Sequence, residues 1–148
     1  MDIKLVPVEP SDAESLVQIR ILAMKESLER IGRFDPQRAR SRFLATFSPI
    51  HTRYIYADES RAGFVTVKPD NAGLLLDHLY ITPERQKIGI GALVLKVVFA
   101  EADKRGVPIR VGALKGSDSN RFYLRHGFTR VEEGEWDIYY VRQAQNST

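Results

Sequence analysis

A strand, a glycine-containing loop and a long helix follow one another within residues 74–106, and this succession constrains the fold more than any other feature. The apolar run Leu74–Ile81 predicts a buried strand. After the loop, apolar residues recur at helical spacing until Gly106, a typical helix end. The loop "QKIGIG" places Gly89 and Gly91 where that helix begins, although glycine inside a helix costs about 1 kcal/mol relative to alanine. The two glycines therefore indicate either a tight turn or a place where the backbone comes close to a ligand.

The remaining segments predict a mixed α/β (α+β) domain. Ser11 and Glu14 form a capping box for a first helix, and Asp35 with Pro36 starts a second. In chain order the pattern predicts a strand at 3–8, helices at 11–28 and 36–47, strands at 52–57, 61–68 and 74–81, the helix that ends before 106, a strand at 109–114, a short helix at 117–127 and strands at 128–133 and 135–142. This order indicates one domain over residues 1–148, with a largely antiparallel first half.

The composition excludes several classes of protein. No cysteine occurs among the 148 residues, so disulfides, thiolate zinc sites and cysteine nucleophiles are excluded, which fits a reducing compartment. The chain does not open with a basic segment followed by an apolar run, and no stretch approaches 18 consecutive apolar residues. We therefore expect a cytoplasmic protein that does not interact with membranes.

The net charge of +3 is small, but basic residues crowd the segment 20–42. Such a cluster is compatible with an anionic ligand or with nucleic acid. Glu26, Glu29 and Asp35 interrupt it, however, and favour a solvated helix face with opposite-charge pairs. We therefore expect no nucleic-acid partner.

Three phosphate-binding interpretations of the loop can be compared. A nucleoside-triphosphate P-loop requires a lysine and a serine or threonine after the second glycine, but Ala92 and Leu93 follow Gly91. A dinucleotide fingerprint requires a third glycine, where Val94 stands. The third interpretation is a loop that exposes the first amides of a helix to a pyrophosphate, and the physics favours it, because these N–H groups are unpaired and glycine lets phosphates approach. A purely structural turn remains the alternative.

Two motifs resemble those of a known family. The loop "QKIGIG", Gln86–Gly91, resembles the Q/R-x-x-G-x-G/A loop with which the GNAT acetyltransferase superfamily holds the pyrophosphate of acetyl-CoA. About 30 residues later, "SNRFYLRHGF", Ser119–Phe128, resembles the family's second signature, a short helix that ends in F-Y-x-x-x-G-F. The order of elements agrees with the family from Ile3 to Arg142, which is nearly the whole chain.

The resemblance implies a V-shaped split sheet of six to seven mostly antiparallel strands, flanked by about four helices, with acetyl-CoA between the fourth and fifth strands. It implies that the phosphates are bound by the backbone amides of Gln86, Lys87, Ile88, Gly89, Ile90, Gly91 and Ala92. It also implies that the pantetheine arm and the thioester lie along Leu79, Tyr80 and Ile81, and that Tyr123 protonates the departing sulfur. The family often has an asparagine six or seven residues before this tyrosine, where this chain has Ser117 and Gly116, so Asn120 is the candidate for that CoA contact.

Acetyl transfer to an amine requires a neutral nucleophile. A lysine-like amine with a pKa of ~10.4 is neutral in roughly one molecule in 2500 at pH 7, which costs roughly 4.6 kcal/mol. Asp77 and His78, adjacent on the fourth strand, are the candidate bases. Because strand neighbours face opposite sides, at most one faces the cleft, and Asp77 is slightly favoured over His78, with a merely buried or paired carboxylate as the alternative. For Tyr123, plain packing of its helix is the alternative to a catalytic role.

The sequence therefore predicts an acetyl-CoA-dependent N-acetyltransferase that acts by direct transfer in a ternary complex, without a metal. The expected acceptor is a primary amine of a small metabolite. The alternatives are a protein or peptide amine and, from another class, a non-catalytic acyl-CoA-binding regulatory domain. Neither the acidic residues at 132, 133 and 135 nor the arginines at 30, 33 and 38 identify the acceptor, because surface solvation explains both groups equally well. Whether the protein is a homodimer is left open.

Overall fold

The computed structural model describes residues 1–145. Within this part of the chain, seven strands and four α-helices are formed. In chain order they are β1 (Ile3–Pro7), α1 (Ala13–Arg30), α2 (Pro36–Thr46), β2 (Thr52–Ala57), β3 (Ser60–Pro69), β4 (Leu74–Ile81), α3 (Ile90–Arg105), β5 (Ile109–Leu114), α4 (Ser119–Arg125), β6 (Thr129–Glu133) and β7 (Asp137–Arg142). The predicted order of elements is confirmed, and β2, β4 and β5 have the predicted bounds. No helix among these residues is both long and apolar enough to cross a membrane.

The strands are hydrogen-bonded in the order β1-β2-β3-β4-β5-β7-β6. The pairs β1–β2, β2–β3, β5–β7 and β6–β7 are antiparallel, whereas β4 and β5 run parallel, with Leu74 opposite Ile109. A parallel pair needs a crossover connection, and α3 supplies it. The predicted mixed sheet, mostly antiparallel and flanked by about four helices, is confirmed.

The described residues form two compact units. The first unit contains residues 1–66 and 78–93, and the second contains residues 67–77 and the chain from Val94 onward. The single domain expected over residues 1–148 stays a prediction.

In the first unit, α1 and α2 place apolar side chains against β2 and β3. The buried cluster consists of Val8, Leu16, Val17, Ile19, Phe43, Tyr54 and Phe64. The start of α2 follows the predicted capping, because a carboxylate oxygen of Asp35 accepts the N–H of Arg38 at 3.1 Å and Pro36 is the first helical residue. The cap and the apolar side chains thus both help to position this helix.

The capping box predicted at Ser11 and Glu14 is wrong. Pro10 begins a short 3₁₀ turn that contains Ser11, and α1 starts only at Ala13. The capping box instead joins Glu9 and Asp12, two positions earlier than predicted, and the carboxylate of Asp12 accepts the backbone N–H of Glu9 at 2.8 Å. The cap is displaced because the fixed φ of proline favours the first position of a helical turn.

The basic segment 20–42 forms the opposite-charge pairs that the favoured interpretation predicted. The nitrogen–oxygen distances are 4.0 Å for Lys25–Glu29, 3.3 Å for Arg30–Glu26 and 2.5 Å for Arg40–Glu14. The hydrogen bond from Arg40 lowers the pKa of the Glu14 carboxyl below its ordinary value. Because these pairs lie at the surface, they contribute little to stability.

In the second unit, α3 and β5 supply most of the core. The buried residues of these elements and of their neighbours are Val94, Leu95, Val98, Ala102, Ile109, Val111, Ala113, Tyr123, Phe128 and Tyr140. Arg142 on β7 is also buried: its guanidinium lies 4.0 Å from the ring centroid of Phe99 and donates to Asp103 at 2.9 and 3.1 Å. A second donor, the backbone N–H of Gln145, approaches the same carboxylate at 3.0 Å.

Asp103→Asn is expected to lower the midpoint of thermal unfolding by several degrees at pH 7, because it leaves the buried guanidinium of Arg142 without its counter-charge. The hydrogen bonds from Arg142 and then from the Gln145 N–H lower the pKa of Asp103. The carboxylate therefore stabilises the fold above the unfolded-state pKa of about 3.9, and this contribution is lost as the pH falls through the lower folded-state pKa. Differential scanning calorimetry of both proteins from pH 7 to pH 3 is expected to show a Tm difference that shrinks in acid.

Asp118→Asn is the matched control, because its pair with Arg121 is exposed and spans only three residues. It is expected to leave the Tm within about 1 °C of the wild-type value, as exposed pairs contribute little. A Tm difference for Asp103→Asn that stays constant down to pH 3 would contradict the stabilising role of the ionised carboxylate.

Candidate active site

The glycine-containing loop lies in the first unit and has an unusual backbone. Lys87 has a φ of 66° and Gly89 a φ of 95°, so two left-handed residues stand two positions apart. A left-handed conformation costs a non-glycine residue about 1–2 kcal/mol, and such strain clusters at functional sites. Backbones that alternate in this way turn successive N–H groups toward one side and form an anion-binding nest.

The start of α3 leaves several of these N–H groups available. The first turn bond runs from the N–H of Leu93 to the carbonyl of Gly89 at 3.2 Å. The N–H groups of Ile90, Gly91 and Ala92 precede that bond and have no acceptor in the preceding turn of the helix. They carry the partial positive charge of the helix start, which favours an anion.

Two contacts hold the loop in place. The side-chain amide of Gln86 donates to the carbonyl of Ile81 at 2.8 Å, which ties the loop to the end of β4. Ile90 is only 1% exposed and anchors the first turn of α3, whereas Ile88 is 56% exposed. The glutamine of the sequence motif therefore acts through its side chain on the protein, and the exposed backbone between the two anchors is the part that a phosphate can reach.

The end of β4 presents two different faces in the first unit. His78 and Tyr80 share one face with an aromatic cluster: the ring of His78 lies 5.3 Å from that of Phe43, 6.0 Å from that of Phe64 and 5.7 Å from that of Tyr80. The hydroxyl of Tyr80 accepts a hydrogen bond from Arg20 at 3.4 Å. By strand alternation, Leu79 and Ile81 point to the other face. The structure thus places His78 against helix α2.

A close approach of β3 to β4 was missed by the sequence analysis. A Cβ atom built on Gly63 would overlap the carbonyl oxygen of Tyr80 and lie 2.9 Å from its carbonyl carbon. Next to it, the register of β2 and β3 shifts, and the carbonyl of Ala62 accepts both the N–H and the hydroxyl of Thr82, at 2.8 and 3.2 Å. Glycine inside the run "RAGFVTVK" was the available signal, because such a glycine often marks a bulge or a close backbone approach.

In the second unit, Asp77 is paired. A carboxylate oxygen of Asp77 lies 2.9 Å from the ammonium nitrogen of Lys68, and about a quarter of each side chain is exposed. This geometry corresponds to the paired carboxylate that the sequence analysis kept as the alternative to a base. The role of Asp77 as a base stays a prediction.

Tyr123 lies on α4 and is 6% exposed. Its ring packs edge-on against Phe128, with centroids 5.3 Å apart, and lies 6.3 Å from the ring of Tyr140. Phe128 is 3% exposed and belongs to the core. The ring of Tyr123 therefore packs its helix, and this packing also fixes the direction of the phenol.

Asn120, one turn before Tyr123, is held by the protein itself. Its side-chain nitrogen donates to the carbonyls of Leu114 and Ser117 at 2.9 and 3.0 Å, and its side-chain oxygen accepts from the hydroxyl of Tyr140 at 2.8 Å. The predicted contact of this amide with CoA stays a prediction.

The predicted site residues thus fall into two groups. Residues 78–81 and 86–92 lie in the first unit, and Asp77, Asn120 and Tyr123 lie in the second. Among residues 1–145, no cluster of three or more potential ligand side chains could hold a metal ion. Two acidic residues of the last hairpin are paired, Glu132 with Arg110 at 3.8 Å and Glu133 with Lys115 at 3.0 Å.

Known proteins resemble this chain in sequence and in fold. The sequence profile of the acetyltransferase (GNAT) domain matches residues 50–130, which is more than half of the chain and includes the loop and α4. A search of curated proteins found no match.

Solved structures share the fold over nearly the full chain. The PaiA N-acetyltransferase of Thermoplasma acidophilum in complex with coenzyme A has a TM-score of 0.74 and 18% identity, over 97% of this chain and 99% of that one. An acetyltransferase of Thermus thermophilus has a TM-score of 0.76 and 21% identity, over 97% of both chains. The ribosomal-protein-S18-alanine N-acetyltransferase of Escherichia coli has a TM-score of 0.71 and 15% identity, over 99% of this chain and 97% of that one. With the match of the domain profile, the chain belongs to the GNAT acetyltransferase family, whose co-substrate is acetyl-CoA.

Proposed function

We propose that the protein transfers the acetyl group of acetyl-CoA to a primary amine of a small metabolite, directly and in a ternary complex, without a metal. The observation that carries the proposal is the loop at the start of α3, where Lys87 and Gly89 are left-handed and the next three amides have no helical acceptor. This backbone fits a pyrophosphate, because it offers several N–H donors and the positive end of a helix. The absence of cysteine favours action in the reducing cytoplasm.

Each group of residues has a proposed role. The amides of residues 86–92 bind the phosphates, and Leu79, Tyr80 and Ile81 position the pantetheine arm and the thioester along β4. Acetyl-CoA supplies an activated thioester, whose carbonyl carbon bonds to the amine nitrogen while the C–S bond breaks and its electron pair leaves with sulfur. Tyr123 donates its phenolic proton to that sulfur, because a thiol leaves more easily than a thiolate.

The proton of the amine requires a base, and two residues are proposed for it. Asp77 is a carboxylate paired with Lys68, whereas His78 lies against Phe43 in the first unit. Either accepts the proton directly or through water. The variants Asp77→Asn and His78→Gln distinguish the two candidates. Only the variant that has lost the base is expected to change the acidic limb of the dependence of kcat/KM on pH.

The proposal is tested by measuring thiol release from acetyl-CoA with a panel of small primary amines and with peptides that carry a free N-terminus or a lysine. Mass spectrometry identifies the acetylated product and the position of the acetyl group. Release with a small amine supports the proposal, and release only with peptides replaces its acceptor class. Binding of acetyl-CoA without transfer to any amine supports the non-catalytic regulatory domain instead.

Tyr123→Phe is expected to lower kcat about 10²-fold, because general acid catalysis contributes about 10²–10⁴-fold. The Kd for acetyl-CoA, from calorimetric titration, is expected to stay within about twofold, since the ring and its packing against Phe128 are kept. Tyr56→Phe is the control: it also removes a phenolic hydroxyl, one that accepts from Arg61 on an exposed part of the surface. An unchanged kcat in Tyr123→Phe would assign this tyrosine to packing alone.

A further inference from the structure

We propose that Asn120 and Tyr140 position Tyr123 for its proton transfer and that the Asn120 amide is not a binding group for CoA. The inference rests on the proposed function, in which Tyr123 is the acid. It assigns a positioning role to two residues. Asn120 was predicted to contact CoA, and Tyr140 had no predicted role.

The amide of Asn120 has a single satisfactory orientation. Its nitrogen faces two backbone carbonyls, Leu114 at 2.9 Å and Ser117 at 3.0 Å, and a carbonyl can only accept. The side-chain oxygen therefore faces the hydroxyl of Tyr140, which donates to it at 2.8 Å. Both N–H groups and one lone pair are used within the protein, so the amide has no donor left for a ligand.

These bonds fix the start of α4. The helix has seven residues, too few to be stable without tertiary contacts. Asn120 joins its first turn to the end of β5, and the hydroxyl of Ser117 donates to the same carbonyl of Leu114 at 2.8 Å. Through Tyr140, the same amide is also tied to β7, which pairs with β5 along its whole length.

Tyr123 lies three residues after Asn120 and therefore on the same side of the helix, one turn further on. Its ring is 6.3 Å from that of Tyr140, whose hydroxyl is held by Asn120. Tyr140 is 2% exposed and cannot shift without disturbing the core. The direction of the Tyr123 phenol thus depends on both residues, through the helix start on one side and through ring packing on the other.

The test is a pair of double-mutant cycles. Asn120→Ala and Tyr140→Phe are made in the wild type and in Tyr123→Phe, and kcat and the Kd for acetyl-CoA are measured for each protein. In the wild-type background, Asn120→Ala is expected to lower kcat about tenfold, since a misplaced group can cost up to about 10²-fold. In the Tyr123→Phe background, neither change is expected to lower kcat further, and the Kd is expected to stay within about twofold throughout.

Tyr140→Phe keeps the ring in the core, so it tests the hydroxyl without a cavity, and it is expected to lower kcat in the same direction by a smaller factor. Ser119→Ala, in the same turn but exposed, is the control that leaves kcat unchanged. Equal losses in both backgrounds would overturn the inference and indicate general destabilisation. A raised Kd with an unchanged kcat would overturn it in favour of a CoA contact. A wild type that releases no thiol with any amine overturns the proposed function itself, and this inference with it.

Discussion

Gly89→Glu is expected to raise the Kd for acetyl-CoA about 10³-fold. Gly89 has a φ of 95°, and the loop must leave this left-handed conformation or take up strain of about 1–3 kcal/mol when a side chain is added. The carboxylate would also stand at the helix start proposed for the pyrophosphate, where it competes for the same amides and repels the phosphates. A total loss of about 4 kcal/mol corresponds to the expected factor. Calorimetric titration of wild type and variant with acetyl-CoA measures it.

The effect can be separated from backbone strain. Gly106, at the other end of α3, has a φ of 68°, and a Cβ on either glycine would meet no atom within 4 Å. Gly106→Glu therefore adds similar backbone strain and the same charge, but at a position well separated in the sequence from the proposed phosphate-binding loop. It is expected to lower the Tm somewhat but to leave the Kd within about threefold of the wild-type value.

Gly91→Glu tests charge in the first turn of α3 itself. An acidic residue near a helix start stabilises the helix by about 0.3–1 kcal/mol. The free energy of unfolding of Gly91→Glu is therefore expected to be at least as large as that of Gly89→Glu. Its affinity for acetyl-CoA is nevertheless expected to fall, because the carboxylate adds negative charge to the helix start that is proposed to bind the phosphates. Retained micromolar binding in both Gly89→Glu and Gly91→Glu would show that the phosphates do not reach this loop.

Local signals predicted the elements well, and nonlocal contacts account for most of what was missed. The bounds of β4 follow from a mostly apolar run, those of β5 from an alternating run, and the start of α2 from Asp35 and Pro36. The cap of α1 was misplaced because Pro10 competes with Ser11 for the first helical turn. Helix caps and strand bounds depend on residues that are close in the chain, so a single sequence can predict them.

In the candidate site, too, local features were predicted and nonlocal contacts were not. The loop was found because its glycines and its helix are consecutive in the chain. Two of the three partners of Asn120, Leu114 and Tyr140, are six and 20 residues away, so its role within the protein depends on the register of β5 and β7 and could not be inferred from spacing. The pairing of Asp77 with Lys68 also spans a turn, and the sequence offered it only as an alternative.

The phosphate loop alone does not distinguish an enzyme from a regulatory acyl-CoA-binding domain, because both need the same amides. The distinction lies in the second unit, where a buried tyrosine is held in one direction by its helix and its neighbours. Core packing alone also holds a phenol in one direction, but tight orientation has a further use in an enzyme. It is useful where a proton must reach one atom, which is why the effect of Tyr123→Phe on kcat, with affinity unchanged, decides between the two classes.

Gly63→Ala is expected to lower the free energy of unfolding by about 3 kcal/mol, and the Tm by about 10 °C, although alanine is ordinarily the better strand residue. The added Cβ would overlap the carbonyl oxygen of Tyr80 and lie 3.1 Å from the Cα of Ile81. These neighbours are backbone atoms of a central strand, so no side-chain rotation can relieve the overlap. β3 and β4 must separate, which weakens the adjacent bonds from Thr82 to Ala62.

Urea unfolding and calorimetry measure this loss, and Gly112→Ala is the matched control. Gly112 also lies in a strand, but its nearest neighbours are ring atoms of Tyr139 at 3.0 and 3.2 Å, and a ring can turn aside. The control is expected to change the free energy of unfolding by less than about 1 kcal/mol. Because Tyr80 and Ile81 are also proposed to position the thioester, Gly63→Ala is expected to bind acetyl-CoA more weakly even where it is folded. Equal stability of the two variants would show that β4 can move away from β3 with little loss of folding free energy. The end of β4 would then be too mobile to position the thioester as proposed.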